Sequence, residues 1–209
     1  MDNFTYVNNC KLCKSDKLDN VLQLAPLPIG DRYVPEADKM KVVDTYPLAI
    51  MMCQDCGHYQ NGGYVNPDLI YGYYLSRPAT TNPVLSDIYK EYVNDLLNKY
   101  VRESEVFAVE AGSNDGAFIG YLQDTGSKVL GIEPSPNLSK QANDHGIPTV
   151  HDYFSLECAK KIKAEHGEAD CFIANHTFSN IIDLDDFVKG VKHLLAPHGV
   201  FSMQTHYHL

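Results

Sequence analysis

Val109-Glu110-Ala111-Gly112-Ser113-Asn114-Asp115-Gly116 closes a short apolar run, Val106-Phe-Ala-Val-Glu, and leads into a helical pattern that begins at Ala117. Strand, glycine loop and helix in that order form the place where an open α/β sheet receives a ligand. The glycines allow close backbone approach, and the helix start offers unpaired N–H groups to an anion. Outward from this loop, strands and helices alternate. Strands are expected at residues 128–133, 148–150, 169–175 and 200–204, and helices at 117–123, 138–144, 156–166 and 186–195, with a Pro197-His-Gly turn before the last strand. That order predicts a parallel sheet covered by helices on both faces. Upstream, Val84, Leu85, Ile88, Tyr89, Tyr92, Val93, Leu96, Leu97, Tyr100 and Val101 recur at three- and four-residue spacing behind Asn82 and Pro83, and predict a long amphipathic helix.

The loop also narrows the ligand. Counting from Gly112, a dinucleotide fingerprint needs glycine where Asn114 stands, and no Gly-Lys-Ser/Thr follows to cradle a triphosphate. NAD and ATP are poorly served. Glu110, Asp115 and, at the end of the second strand, Glu133 would repel a pyrophosphate. They suit S-adenosylmethionine, which carries a sulfonium, an ammonium and a single carboxylate. Glu133, in Gly131-Ile-Glu-Pro134, is placed to accept from both ribose hydroxyls. After the third strand, Asp152, Tyr153 and Phe154 supply an acceptor and aromatic faces for adenine. The competing reading is a solvated acidic rim, which three acids at successive strand ends disfavour.

Six cysteines occur among the 209 residues, four of them in Cys10-Lys-Leu-Cys13 and Cys53-Gln-Asp-Cys56. Two such knuckles match a closed tetrahedral site for structural zinc. A redox dithiol and an iron–sulfur cluster remain as rivals, but a redox motif normally occurs once, at a helix start. The segment around the knuckles is rich in turn residues and short of core, so it needs a staple. His58 reads as a neighbour of the site; Cys158 and Cys171 read as buried small hydrophobes. With a formal net charge of -10 and no basic cluster, nucleic acid is not an expected partner. The chain lacks a basic start followed by an apolar run, and no stretch could span a bilayer, so no membrane partner is expected and the cytoplasm is the expected compartment.

These features together resemble the nucleotide-sugar C-methyltransferases, which join a zinc-binding domain to a class I S-adenosylmethionine methyltransferase domain and a further C-terminal domain. The resemblance rests on the Cys-x-x-Cys pairs, Leu24-Ala-Pro-Leu-Pro, Tyr46-Pro-Leu-Ala-Ile-Met-Met-Cys, Tyr71-Gly-Tyr-Tyr-Leu-Ser, the glycine loop, Gly-Ile-Glu-Pro and Ala174-Asn175-His176, in that order. It implies an α/β, Rossmann-like class I methyltransferase sheet, incomplete at its C-terminal end, behind a small zinc-binding domain. The expected division is residues 1–66 for zinc, 67–104 for a linker and the amphipathic helix, and 105–209 for the cofactor domain. Gly112, Asn114, Gly116 and Asn175 would join the acids around the cofactor. The implied substrate is a nucleotide-linked keto-deoxysugar, methylated at a carbon beside its keto group. That chemistry needs a base for the α-proton and a partner for the enolate. Tyr73 and Tyr74 would line the site, their alternative being aromatic packing between domains.

The sequence departs from the family pattern where a histidine is expected after the fourth strand. Asn180 stands there and cannot take a proton at neutral pH, leaving His176 as the substitute; Gln204 stands where the family tends to have an acid. His206 and His208 read as polar rim. Because the sequence stops after the fifth expected strand, an open sheet edge is expected, so that either the sequence is a fragment or the edge is covered by a second copy, a partner chain or the chain's own closing segments. Besides an enzyme, the residues permit a catalytically silent cofactor- and zinc-binding module, or a zinc-ribbon interaction protein.

Overall fold

In the computed structural model, residues 3–30, 32–75, 82–101 and 105–205 are described, and the chain divides into two compact units, residues 1–75 and 76–209. The boundary differs from the expected one. The short helix α1 (Pro67–Tyr71) goes with the first unit, whereas the long helix α2 (Pro83–Lys99) goes with the second. His206 and His208 lie outside the described residues.

The first unit holds more strand than its turn-rich sequence suggests. β1 (Phe4–Tyr6) pairs antiparallel with β5 (Gly63–Val65), while β2 (Leu18–Leu27), β3 (Tyr46–Cys53) and β4 (Tyr59–Asn61) form an antiparallel sheet with β3 in the middle. Pro26 and Pro47 argued against strands, since proline cannot donate to a ladder. Pro26 is tolerated because β2 is an edge strand, and Pro47 because β4 pairs only with Ile50, Met51 and Met52. In these three strands of the sheet only Cys53 and Gln60 are buried, so little apolar core holds it.

The second unit contains a five-stranded, all-parallel sheet in the order β10-β9-β6-β7-β8: Leu195–Ser202, Ala169–Ile173, Phe107–Ala111, Lys128–Ile132 and Thr149–Val150. Its helices are α3 (Ala117–Asp124), α4 (Pro136–Asp144), α5 (Leu156–His166) and α6 (Leu184–Leu194). Strand alternation splits the core in two. Phe107, Val109 and Ala111 face α5 and α6 through Cys158, Ile162, Phe187 and Val191. Ala108, Val129, Cys171 and Ile173 face α2 and α3 through Val93, Leu96, Phe118 and Ile119. Cys158 and Cys171 are therefore core residues, and burial pushes their thiols up to about 11 and about 12.

α2 starts at the expected place because Asn82 Oδ1 accepts from the amides of Val84 and Leu85 and Pro83 occupies the first turn. The end of the sheet differs from expectation. The Pro197-His-Gly segment is a bulge within β10, whose pairing jumps from Leu195 opposite Ala169 to Val200 opposite Cys171. Among the described residues, β10 is an outer strand of this sheet.

Chain order fixes where a ligand can sit. From β6 the chain moves outward through β7 and β8, then returns across the sheet to β9 and β10, so the turns leaving β6 and β9 part in opposite directions. In such a sheet the crevice at that switch point, beyond the carboxyl ends of the strands, is the binding position.

Candidate functional site

The β6–α3 loop is built from alternate left-handed residues: Gly112 (φ +71°), Asn114 (φ +56°) and Gly116 (φ +80°). Asparagine tolerates this region better than other side chains, so Asn114 preserves the loop that a second glycine would otherwise make. At Gly112 no side chain fits, because a Cβ would lie 2.1 Å from Thr177 Oγ1 in the turn after β9. The two switch-point loops therefore touch.

All three acids hold backbone as well as line the loop. Glu133 is buried; its Oε2 accepts from Asn114 N–H and its Oε1 from Ser135 N–H, both at 2.8 Å. Burial pushes its pKa up, and those two amides partly offset the rise. Asp115 Oδ1 accepts from Ala117 N–H at 3.2 Å, in the first turn of α3. Glu110 lies on the α2/α3 face of the sheet and is wholly buried. Burial, and then the nearby Glu133 carboxylate, raise its pKa to about 8 against the pull of the Ile119 amide. The charges of Glu133 and Asp115 both push the Glu110 pKa up.

Three buried side-chain atoms have no hydrogen-bond partner among the described residues: Glu110 Oε2, Ser113 Oγ and Asn175 Nδ2. Native structures leave few such atoms unless a ligand or water completes them. Glu110 stands at the end of β6, Ser113 on the loop after it and Asn175 just beyond β9. Acceptors beside an acidic loop, with donors next to them, fit a ligand bearing both cationic groups and a carboxylate, which is the chemistry of S-adenosylmethionine.

The rim residues divide. His151 Nε2 lies 2.9 Å from the Pro134 carbonyl, and Asp152 Oδ1 accepts from Tyr153 N–H at 2.8 Å. Asp152 and Tyr153 are exposed, as an adenine rim requires. Phe154 is partly buried; its ring packs 4.5 Å from Phe172 and 5.1 Å from Phe187, and Gly190 of α6 makes room for it.

His176 and Asn180 share the turn after β9. His176 is exposed at φ +53°, its N–H donating to the Gln204 carbonyl at 2.6 Å, and Asn180 Nδ2 donates to the His176 carbonyl at 3.1 Å. Phe178 anchors this turn between Phe187 and Phe201, with ring centroids 5.7 and 6.0 Å away. Tyr73 and Tyr74 belong to the first unit; Tyr73 is exposed and the Tyr74 ring lies 5.8 Å from that of Tyr71.

In the first unit, Cys10, Cys13, Cys53 and Cys56 place their four sulfurs within 4.8 Å of one another. Sγ separations of 3.7 Å for Cys10 and Cys56 and 3.5 Å for Cys13 and Cys53 compare with an edge of about 3.8 Å for a tetrahedron with about 2.3 Å zinc–sulfur bonds. The residues fit zinc. The knuckles are tight turns: Lys14 N–H donates to the Cys10 carbonyl and Gly57 N–H, at φ +73°, to that of Cys53. Burial raises the Cys10 thiol, but the amides of Cys13 and Leu12 draw it down to about 7. One residue escaped sequence reasoning. Gln60, buried on β4, accepts from Lys11 N–H at 2.7 Å and donates to the Asn9 carbonyl at 3.1 Å, clamping the backbone on both sides of Cys10. No sequence signal marks it.

Stretches of both units match known protein families. Residues 10–71 match the family described as "Putative zinc binding domain", and residues 109–203 the family described as "Methyltransferase domain". The second unit thus has the class I methyltransferase fold, whose cofactor is S-adenosylmethionine, and the first carries a cluster of four cysteines that fits zinc. A curated relative is the C-methyltransferase NovU of Streptomyces niveus, 26% identical over 201 residues, a match covering 96% of this chain and 48% of NovU. The chain spans about half the length of that relative. Among solved structures, the PH0226 protein of Pyrococcus horikoshii matches with a TM-score of 0.47 and 21% identity, covering 59% of this chain and 56% of that one. The CcbJ methyltransferase of Streptomyces caelestis gives 0.43 and 17%, covering 55% and 47%. Among the described residues, no helix is long and apolar enough to cross a membrane.

Proposed function

We propose that this chain binds S-adenosylmethionine at the β6/β9 switch point and transfers its methyl group to a carbon of a nucleotide-linked keto-deoxysugar. The observation that carries the reading is a loop of left-handed residues whose backbone amides are held by Asp115 and Glu133, with unpaired buried polar atoms on both sides of the crevice. The cofactor, when bound, supplies an electrophilic methyl. Glu133 accepts from the ribose hydroxyls, Asp152 and Tyr153 border the adenine, and Glu110 faces the cationic end. His176 takes the proton from the carbon beside the keto group. Asn180 donates to the oxygen on which the enolate charge collects. The four-cysteine site, with no open ligand position, holds the first unit together and takes no part in the chemistry. That NovU is by name a C-methyltransferase supports carbon as the acceptor. In this reading the outer edge of β10 is covered by a second copy or a partner chain, and the reduced thiolates suit the cytoplasm.

The test is incubation of the zinc-loaded chain with methyl-labelled cofactor and a panel of nucleotide-linked keto-sugars. Label entering a base-stable carbon position supports the proposal. Asn180, which cannot take a proton, favours a second reading, a catalytically silent cofactor-binding module; cofactor binding without transfer to any acceptor would establish it.

A further inference from the structure

Asn175 is held in a way that its neighbours in the turn are not. Glu110 of β6 pairs with Ile173 of β9, so two residues further on Gly112 and Asn175 stand level at the switch point. Tyr92, reaching over from α2, donates to Asn175 Oδ1 at 3.1 Å, and its hydroxyl lies 2.7 Å from Ser202 Oγ at the end of β10. A tyrosine has one proton. If it goes to Asn175, the Ser202 hydroxyl must donate to Tyr92, and the relay runs Ser202 to Tyr92 to Asn175. The three groups share one chain of hydrogen bonds, and in the arrangement found Asn175 Nδ2 is buried with no acceptor among the described residues. A buried donor without a partner is where a ligand or water completes the structure.

Two other unpartnered atoms belong to the facing strand and loop, Ser113 Oγ and Glu110 Oε2. Together they amount to an amide donor, a hydroxyl and a buried carboxyl oxygen, hydrogen-bonding partners for the carboxylate and ammonium of an α-amino acid group. We infer that Asn175 Nδ2 is the donor that recognises the carboxylate at the methionine end of the cofactor, with Tyr92 and Ser202 as the residues that position it. This rests on the cofactor reading above and adds to it which end of the cofactor β9 reads, and how α2 takes part.

The experiment compares S-adenosylmethionine with its decarboxylated form, which keeps the adenine, ribose, sulfonium and ammonium. Each is titrated calorimetrically into the zinc-loaded wild-type chain, Asn175→Ala and Tyr92→Phe, with thermal melts to confirm folding. Wild type should prefer the intact cofactor by about ten- to a hundredfold, the range of one charge-assisted hydrogen bond. In Asn175→Ala the preference should shrink to about threefold or less, through weaker binding of the intact cofactor alone. In Tyr92→Phe, which keeps the ring packed against Phe118, it should fall part of the way. A merely structural role would weaken both ligands equally and leave the ratio unchanged, and that result in either folded variant overturns the assignment. A wild-type chain that binds both ligands equally also overturns it while leaving the cofactor reading intact. Binding of neither ligand by the wild type removes the cofactor reading, and this inference with it.

Discussion

Replacing Glu110 by glutamine should raise stability in alkaline solution and flatten its dependence on pH. The side chain is wholly buried, and its pKa rises from 4.5 to about 8, first because burial penalises the charge and then because Glu133 is close by. The folded chain therefore keeps a proton that the unfolded chain surrenders near pH 4.5. Where the native state binds more protons, stability falls as pH rises. The contribution of neutral Glu110 is complete below about pH 4.5 and is lost progressively as pH climbs through about 8. A shift of roughly 3.5 units at 1.36 kcal/mol each sets an upper limit of about 5 kcal/mol over that window. Glutamine keeps the acceptor for the Ile119 amide and does not titrate. Urea midpoints of the zinc-loaded wild type and Glu110→Gln, followed by circular dichroism between pH 5 and pH 9, should coincide at the acid end and diverge steadily toward the alkaline end, the variant being the more stable. Glu133 also titrates upward-shifted, but it is common to both proteins and cancels in the difference. Parallel curves across the whole range would refute the placement of a neutral carboxyl under α3.

Three further outcomes are expected. Glu133→Ala should weaken S-adenosylmethionine by about tenfold in calorimetry and lower the melting temperature, because it frees the amides of Asn114 and Ser135, and Glu133→Gln, with one acceptor oxygen for two amides, should do both to a smaller degree; unchanged affinity in either folded variant would remove the ribose contact. Cys53→Ser should release zinc, measured as metal content, and speed amide exchange in residues 3–65 while leaving the sheet around β6 protected, since ligation energy is folding energy in a unit with so little core; retained metal and unchanged exchange would contradict the four-thiolate site. Gln60→Leu should weaken zinc by about tenfold in competition with a chromophoric chelator, as both backbone clamps beside Cys10 are lost, and an unaltered affinity would show that the knuckle holds itself.

What the sequence revealed follows from how local its causes are. The glycine loop, the capped start of α2 and the four cysteines are set by neighbouring residues, and the structure brings all four cysteine sulfurs together and puts the loop at the switch point of a parallel sheet. The strands of the first unit were hidden because Pro26 and Pro47 contradict strand propensity unless the pairing partners are known. The bulge at Pro197 was read as a turn between elements, since only the register with β9 shows the strand beginning at Leu195. The packing of Phe154 against Phe172 and Phe187 was not legible, because it depends on Gly190 in a helix 36 residues away. Glu133 was legible as an acid in the right place, but its grip on two backbone amides was not. Gln60, Tyr92 and Ser202 carry no motif; each matters through a contact with a residue at least 35 positions away, which periodicity and spacing do not encode.

The central claim is that an acidic crevice at the β6/β9 switch point holds a cationic cofactor. Titration calorimetry of the zinc-loaded chain at neutral pH with S-adenosylmethionine, NAD and ATP tests it most directly. One-to-one binding of S-adenosylmethionine alone is expected; heat from NAD or ATP, with none from S-adenosylmethionine, would contradict it.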